Sequence, residues 1–349
     1  VATALALRRA RLPAGHPDLA ASLQVRGALR ANQGRLGEAM ADLDSALALR
    51  RAADPADPVA TAAVLERLAS VHEQRHEFDA ALACLDEALA LLENAPGEHD
   101  FDLLRVLRVH GRVAGSQGRH EEAIAYHRRT LALLPDSLAG RHPARFDALE
   151  SIALALENIG EVDSAVTLHR QVLTGREGIF GPGHPTVAYS LHNLGRAMSA
   201  RGEYAAAVPY YERALAIREQ AHGAGHPTVA HTLESLAIAT AVGGDLAGAE
   251  RRFLRAREIF VDRFGPSHPE TIESMTNLAF LCTMGDRPDD ALGWLERAAD
   301  VGWQGLDVLR KAPYDGYAGD PRYERLVARL AASPSAGAAG PGSPAAPEE

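Results

Sequence analysis

One column of small residues constrains this chain more than any other feature. Gly27, Ala69, Gly111, Ala153, Gly195, Ala237 and Ala279 recur every 42 residues without a slip. Twelve residues on, a second column is alanine throughout: Ala39, Ala81, Ala123, Ala165, Ala207, Ala249 and Ala291. Seven further, a third reads Ala46, Ala88, Thr130, Val172, Ala214, Ala256 and Ala298. A leucine column precedes them all, at Leu23, Leu65, Leu107, Leu149, Leu191, Leu233 and Met275. A fixed period in the range of roughly 20–50 residues marks a solenoid, in which each unit buries its apolar face against its neighbours. Such an array presents an extended concave surface, and its expected role is to hold another protein.

The spacing also points to a particular unit. Helices cross closely only where side chains are small. A glycine or alanine, an alanine twelve on and a small residue seven further resemble the skeleton of the tetratricopeptide repeat, whose usual period is about 34. The longer period here comes from the joins Phe180 to Pro185, His222 to Pro227 and Phe264 to Pro269. The stretch from Tyr204 through Pro209 to Glu219, followed by such a join, resembles the 42-residue repeats of kinesin light chains and their bacterial relatives. The resemblance spans roughly residues 1–300 and implies an all-α, right-handed superhelical solenoid of helix-turn-helix repeats with a C-terminal helical cap.

Composition agrees with that architecture. Hydrophobic residues make up 46% of the chain and aromatic residues 5%, so the core is built from alanine and leucine. Length alone, 349 residues, suggests two or three domains, but the unbroken period overrides that expectation. A net charge of −10 argues against a general nucleic-acid binder, which needs a basic surface to neutralise phosphates. Lys311 is the only lysine, which removes nearly all lysine chemistry. Cys84 and Cys282 lie too far apart in the array for one bridge, and a reduced, cytoplasmic setting is expected. No apolar run approaches the ~18 residues of a membrane span.

The period divides the chain. Residues 1–15 read as the second-helix remnant of a truncated preceding repeat, since Ala4 falls one period before Ala46. This suggests a fragment of a longer protein. Residues 16–300 hold seven repeats, and residues 301–332 a cap in which Trp303, Leu306, Leu309, Tyr323, Leu326 and Leu330 cover the last apolar face. That segment also resembles the piece closing repeat arrays behind bacterial serine/threonine protein kinases. Residues 333–349, rich in Ser, Gly, Ala and Pro, are expected to be disordered. Proline is tolerated at a first helical position, which places first-helix starts at Pro17, Pro58, Pro143, Pro185, Pro227 and Pro269. Gly34, Gly118, Gly160, Gly202 and Gly244 mark the turn between helices, where positive φ is cheap. Pro209 is expected to bend a second helix.

Most motifs with chemical associations dissolve on inspection. His72, Glu73 and His76 match H-E-x-x-H, but His76 occupies the turn column, so the two histidines do not share a helix face. His16, His142, His184, His226 and His268 precede the helix-starting prolines and sit a repeat apart, too far to share a metal; they read as helix-entry residues. The glycine pairs at Gly181/Gly183 and Gly223/Gly225 follow helices rather than strands and lack a third glycine. No catalytic residues, cofactor site or metal site is expected.

One constellation remains. In tetratricopeptide arrays the first helices line the groove, and the positions offset from the leucine and glycine columns face it. In the third repeat these are Arg105, Arg108 and Arg112, on one helix face. The fourth offers Asp147, Glu150 and Ser151, the fifth Tyr189, His192, Asn193 and Arg196. The sixth offers His231, Glu234 and Ile238, the seventh Glu273, Asn277 and Phe280. Asn193 and Asn277 match the groove asparagine of kinesin-light-chain-like repeats, which implies contact with a peptide backbone. The arginines read either as a ligand site or as a solvated face paired with Asp147 and Glu150. The expected function is a protein-protein interaction module, the scaffold or sensory part of a larger signalling protein, holding an extended acidic peptide across repeats three to five. Two rivals stand beside it: the C-terminal part of a serine/threonine kinase whose catalytic domain lies upstream, and a regulator sensing a small ligand or transcriptional partner.

Overall fold

A computed structural model describes residues 2–13, 15–53, 57–134 and 142–332. All regular structure among them is helical, and the chain divides into two units between Ile179 and Phe180. The first unit holds α1 (Ala2–Arg11), then the pairs α2 (Pro17–Asn32) and α3 (Leu36–Arg51), α4 (Pro58–Gln74) and α5 (Phe78–Glu93), α6 (Asp100–Ser116) and α7 (His120–Leu133), α8 (Pro143–Asn158) and α9 (Val162–Phe180). The second holds α10 (Pro185–Ala200) and α11 (Tyr204–His222), α12 (Pro227–Val242) and α13 (Leu246–Phe264), α14 (Pro269–Met284) and α15 (Pro288–Asp300). It closes with α16 (Leu306–Leu309), a 3-10 helix (Tyr314–Tyr317) and α17 (Pro321–Ala332). The tail 333–349 lies outside the described residues.

Each helix pair follows from local chemistry. All six prolines assigned to helix starts occupy the first turn, and α6, without one, starts at Asp100. The histidines ahead of five of these helices are N-caps: the Nδ1 of His16, His142, His184, His226 and His268 accepts a backbone N–H two residues on, at 3.2–3.3 Å. Phe180 and Phe264 stack on His184 and His268, with ring centroids 4.8 and 4.4 Å apart. The turn column has positive φ at all seven positions, including His76 (60°) and Asp286 (54°). The residue after each turn donates back to a carbonyl five residues earlier, as Arg119 does to Ala114 at 2.8 Å, which closes a Schellman motif. His76 therefore stands outside α4, away from any zinc-type pairing with His72, whose Nδ1 lies 2.7 Å from Glu77. The helix α11 runs through Pro209 without interruption.

Packing within each unit rests on the small columns. The alanine and leucine columns are buried in every repeat. The glycines of the first column accept a bulky partner from the second helix. A Cβ at Gly27, Gly111 or Gly195 would fall 2.8, 2.6 or 2.8 Å from Leu43, His127 or Tyr211. First helices stand side by side: α2, α4, α6 and α8 in the first unit, α10 and α12 in the second. Ala207 is fully buried on α11, four residues from Tyr211. Replacing Ala207 with Leu overpacks this crossing and lowers stability by about 1–3 kcal/mol. Urea unfolding of variant and parent measures it, and equal midpoints would refute the register.

Candidate functional site

In the first unit, a cavity of about 320 Å³ opens between α6 and α8, with α7 at its wall. The helix α6 contributes Arg108 and Arg112, α7 contributes His127, and α8 contributes Asp147, Glu150 and Ser151. Gly111 makes room for the imidazole of His127, which is 2% exposed. Its Nδ1 has no hydrogen-bond partner. Burial, then the nearby Arg108 charge, push its pKa down to about 4, so the ring is neutral at pH 7.

The charges around this cavity are unevenly committed. Arg105 is tied to Glu66 of α4 and, at 3.3 Å, to Asp102. Arg112 is tied to Glu73, also on α4. These arginines thus pair with the preceding repeat, and Asp147 and Glu150, the neighbours suggested by sequence, pair elsewhere. Arg176 of α9 donates to Asp147 Oδ1 at 2.8 Å and to the two Glu150 oxygens at 3.0 and 2.8 Å. Glu150 is 7% exposed, so this is a buried pair. Arg108 is exposed and makes no hydrogen bond or ion pair among the described residues. The cavity therefore has acceptors already engaged by Arg176 and donors, Arg108 and His127, that are not engaged. That asymmetry suits a ligand oxygen.

In the second unit the sequence-selected residues separate into distinct settings. On α10, Tyr189 is partly exposed, Asn193 is buried, and His192 lies edge-on to Tyr211 at 5.5 Å. Arg196 on the same helix is exposed. His231 Nδ1 lies 3.7 Å from Glu270. Asn277, expected to meet a peptide backbone, donates to Glu234 Oε1 at 3.4 Å. Burial, with Glu273 and Glu270 adding to it, pushes the Glu234 carboxyl up to about 8 against that hydrogen bond. Phe280 is exposed, as are Ile238, Val242 and Met284, giving an apolar strip along the C-terminal turns of α12 and α14.

Sequence reasoning missed the second-helix contributors. His127 and Arg176 stand on second helices, outside the first helices from which the groove pattern is read. A signal is present in the repeat alignment: His127 stands with His169 in a column that otherwise carries Leu43, Leu85, Tyr211, Phe253 and Leu295, and His169 Nε2 lies 2.8 Å from Glu157 whereas His127 Nδ1 has no hydrogen-bond partner.

Known proteins share the repeat fold. The family model described as tetratricopeptide repeat matches residues 60–136, 145–220, 200–260 and 228–301. No curated protein matches the chain. Among solved structures, BtubC (BKLC) from P. vanneervenii is similar at TM-score 0.59 and 20% identity, covering 67% of this chain and 94% of that one. TPR-like repeats of a Podosopora anserina protein described as a kinesin light chain align at TM-score 0.53 and 25% identity, over 62% of this chain and 100% of theirs. A signal transduction ATPase with a tetratricopeptide repeat sensor, from Pyrococcus horikoshii, aligns at TM-score 0.68 and 13% identity, over 84% of this chain and 43% of that protein. No helix among the described residues is long and apolar enough to cross a membrane.

Proposed function

The chain belongs to the tetratricopeptide repeat family, and from that premise we propose that it is a protein-interaction module whose first unit captures an acidic side chain of a partner polypeptide in the cavity between α6 and α8. The observation that carries the reading is the pair of unengaged donors, Arg108 and His127, facing a cavity whose own carboxylates Arg176 already holds. A carboxylate entering there gains charge-assisted hydrogen bonds, each contributing about 1.5–3 kcal/mol when shielded from water. The fold is one that serves protein scaffolds, and the repeat sensor named in the P. horikoshii protein supports a sensory or scaffolding place in a larger signalling protein.

The test is titration with a poly-L-glutamate decamer, with a poly-L-glutamine decamer as the uncharged control. Arg108→Ala is expected to weaken glutamate binding tenfold or more, about 1.4 kcal/mol. Its melting temperature should match the parent, because Arg108 is exposed and unpaired among the described residues. Equal affinities for the two proteins would overturn the cavity reading.

A further inference from the structure

The repeats themselves contain a control experiment. Arg176 is 6% exposed and is neutralised by Asp147 and Glu150. One period later stands Arg218 on α11, equally buried at 7%. The positions equivalent to the two acids are Tyr189 and His192. Arg218 Nη1 donates to the Thr228 carbonyl at 3.0 Å and to Thr232 Oγ1 at 2.5 Å, both on α12. It forms no ion pair among the described residues.

Burial, not a neighbouring charge, sets the state of Arg218, and the imidazole beside it brings no negative charge. Burial pulls the Arg218 pKa down to about 10, which leaves it charged at neutral pH. His192 is held well below its ordinary value by burial, then by Arg218, Arg196 and His231. Its Nδ1 is buried without a hydrogen-bond partner. A buried cation with no counter-charge is costly, and removing the partner of such a pair is strongly destabilising. Here no such partner stands among the described residues.

We propose that Arg218, with Tyr189 and His192 beside it, forms a second carboxylate site, in which an acidic side chain of a partner polypeptide takes the place that Asp147 and Glu150 fill for Arg176. The proposal rests on the reading of the chain as a binder of acidic polypeptides. It locates an anchor in the second unit, built by α10, α11 and α12. The ligand carboxylate meets the guanidinium edge that Thr228 and Thr232 leave unoccupied, and His192 supplies a ring nitrogen.

The experiment restores the missing acids from within. The double variant Tyr189→Asp/His192→Glu installs the fourth repeat's pair beside Arg218. It is expected to melt higher, by roughly 2–4 °C, and to bind the poly-L-glutamate decamer at least tenfold more weakly than the parent. A second variant, Arg218→Met, replaces the charge with a side chain of similar volume; it should keep the fold and lose the same affinity. Inorganic phosphate at the same concentration as the decamer should not compete, and competition would overturn the assignment to a carboxylate. Unchanged decamer affinity in a folded double variant, or a melting temperature no higher than the parent's, would overturn the site. Because Arg108 is untouched, Arg108→Ala made in the parent and in the double variant separates the two anchors. An effect in the double variant without one from Arg108→Ala rejects the first-unit cavity alone; the reverse rejects Arg218 alone.

Discussion

Arg176→Leu will destabilise the protein by about 3–5 kcal/mol. The guanidinium and Glu150 are both nearly removed from water, and Arg176 satisfies both Glu150 oxygens. Leucine fits the column, since Leu92 and Leu134 occupy it in earlier repeats, so packing is not what is lost. The loss is the charge and the hydrogen bonds that Arg176 brings to a buried carboxylate. Asp147 is half exposed and turns to solvent at little cost. The second-site change Glu150→Leu should therefore recover most of the deficit, because a buried ion pair replaced as a whole by apolar side chains is near neutral. Urea unfolding of parent, single and double variants gives the comparison. A single variant losing under ~1 kcal/mol, or a double variant no better than the single, would contradict this account of the pair.

The second large effect lies at the C-terminal end of the second unit. Leu309, Tyr314, Tyr323, Leu326 and Leu330 are buried in one cluster with Ala279, Leu292, Leu295 and Ala299, with Trp303 and Leu306 packed against it. Tyr323 donates to the Leu309 carbonyl at 2.9 Å, Tyr317 to Thr283 Oγ1 at 2.8 Å, and Arg322 grips Glu296 at 2.7 Å. Ending the chain at Asp300 strips this cover from α14 and α15. Each large apolar residue removed from contact forfeits about 1.5–3 kcal/mol. The exposed face is an association surface, as in repeat arrays that lack a terminal cap. The truncated chain is expected to melt well below the parent and to sediment as larger species. A monomeric truncation with the parent's melting curve would show that these residues are not a cap.

The fold was legible because its causes are local and repeated. The columns headed by Gly27, Ala39 and Ala46 fix where helices touch, the prolines fix where they start, and Gly34 and its equivalents fix the turns. The charge chemistry was less legible. Arg105, Arg108 and Arg112 share one face of α6, so helical periodicity groups them; yet two of them reach back 39 residues to Glu66 and Glu73, and one does not. That choice depends on the offset between neighbouring first helices, which no single-helix pattern encodes. Asn277 likewise faces Glu234 because α12 and α14 are neighbours. The contributions of His127, Arg176 and Arg218 come from second helices, which a reading confined to the groove-lining helices passes over. The exchange of Asp147 and Glu150 for Tyr189 and His192 was nonetheless visible in the repeat alignment. It acquires meaning only once Arg176 and Arg218 are known to be buried to the same degree.

The central claim is that the first-unit cavity receives a carboxylate, and the imidazole of His127 reports on that directly. In the free protein its ring is neutral, with a pKa of about 4 set by burial and by Arg108. An anion placed beside it favours the protonated form and raises the pKa by about one unit or more. The measurement is an NMR titration of the histidine ring resonances with and without the poly-L-glutamate decamer. The His127 signal is assigned by its loss in His127→Tyr, a substitution that reproduces the Tyr211 and Gly195 pairing opposite Gly111. The account predicts a His127 pKa near 4 in the free protein and a clear upward shift when the decamer is bound. A bound decamer that leaves the His127 titration unchanged would contradict it.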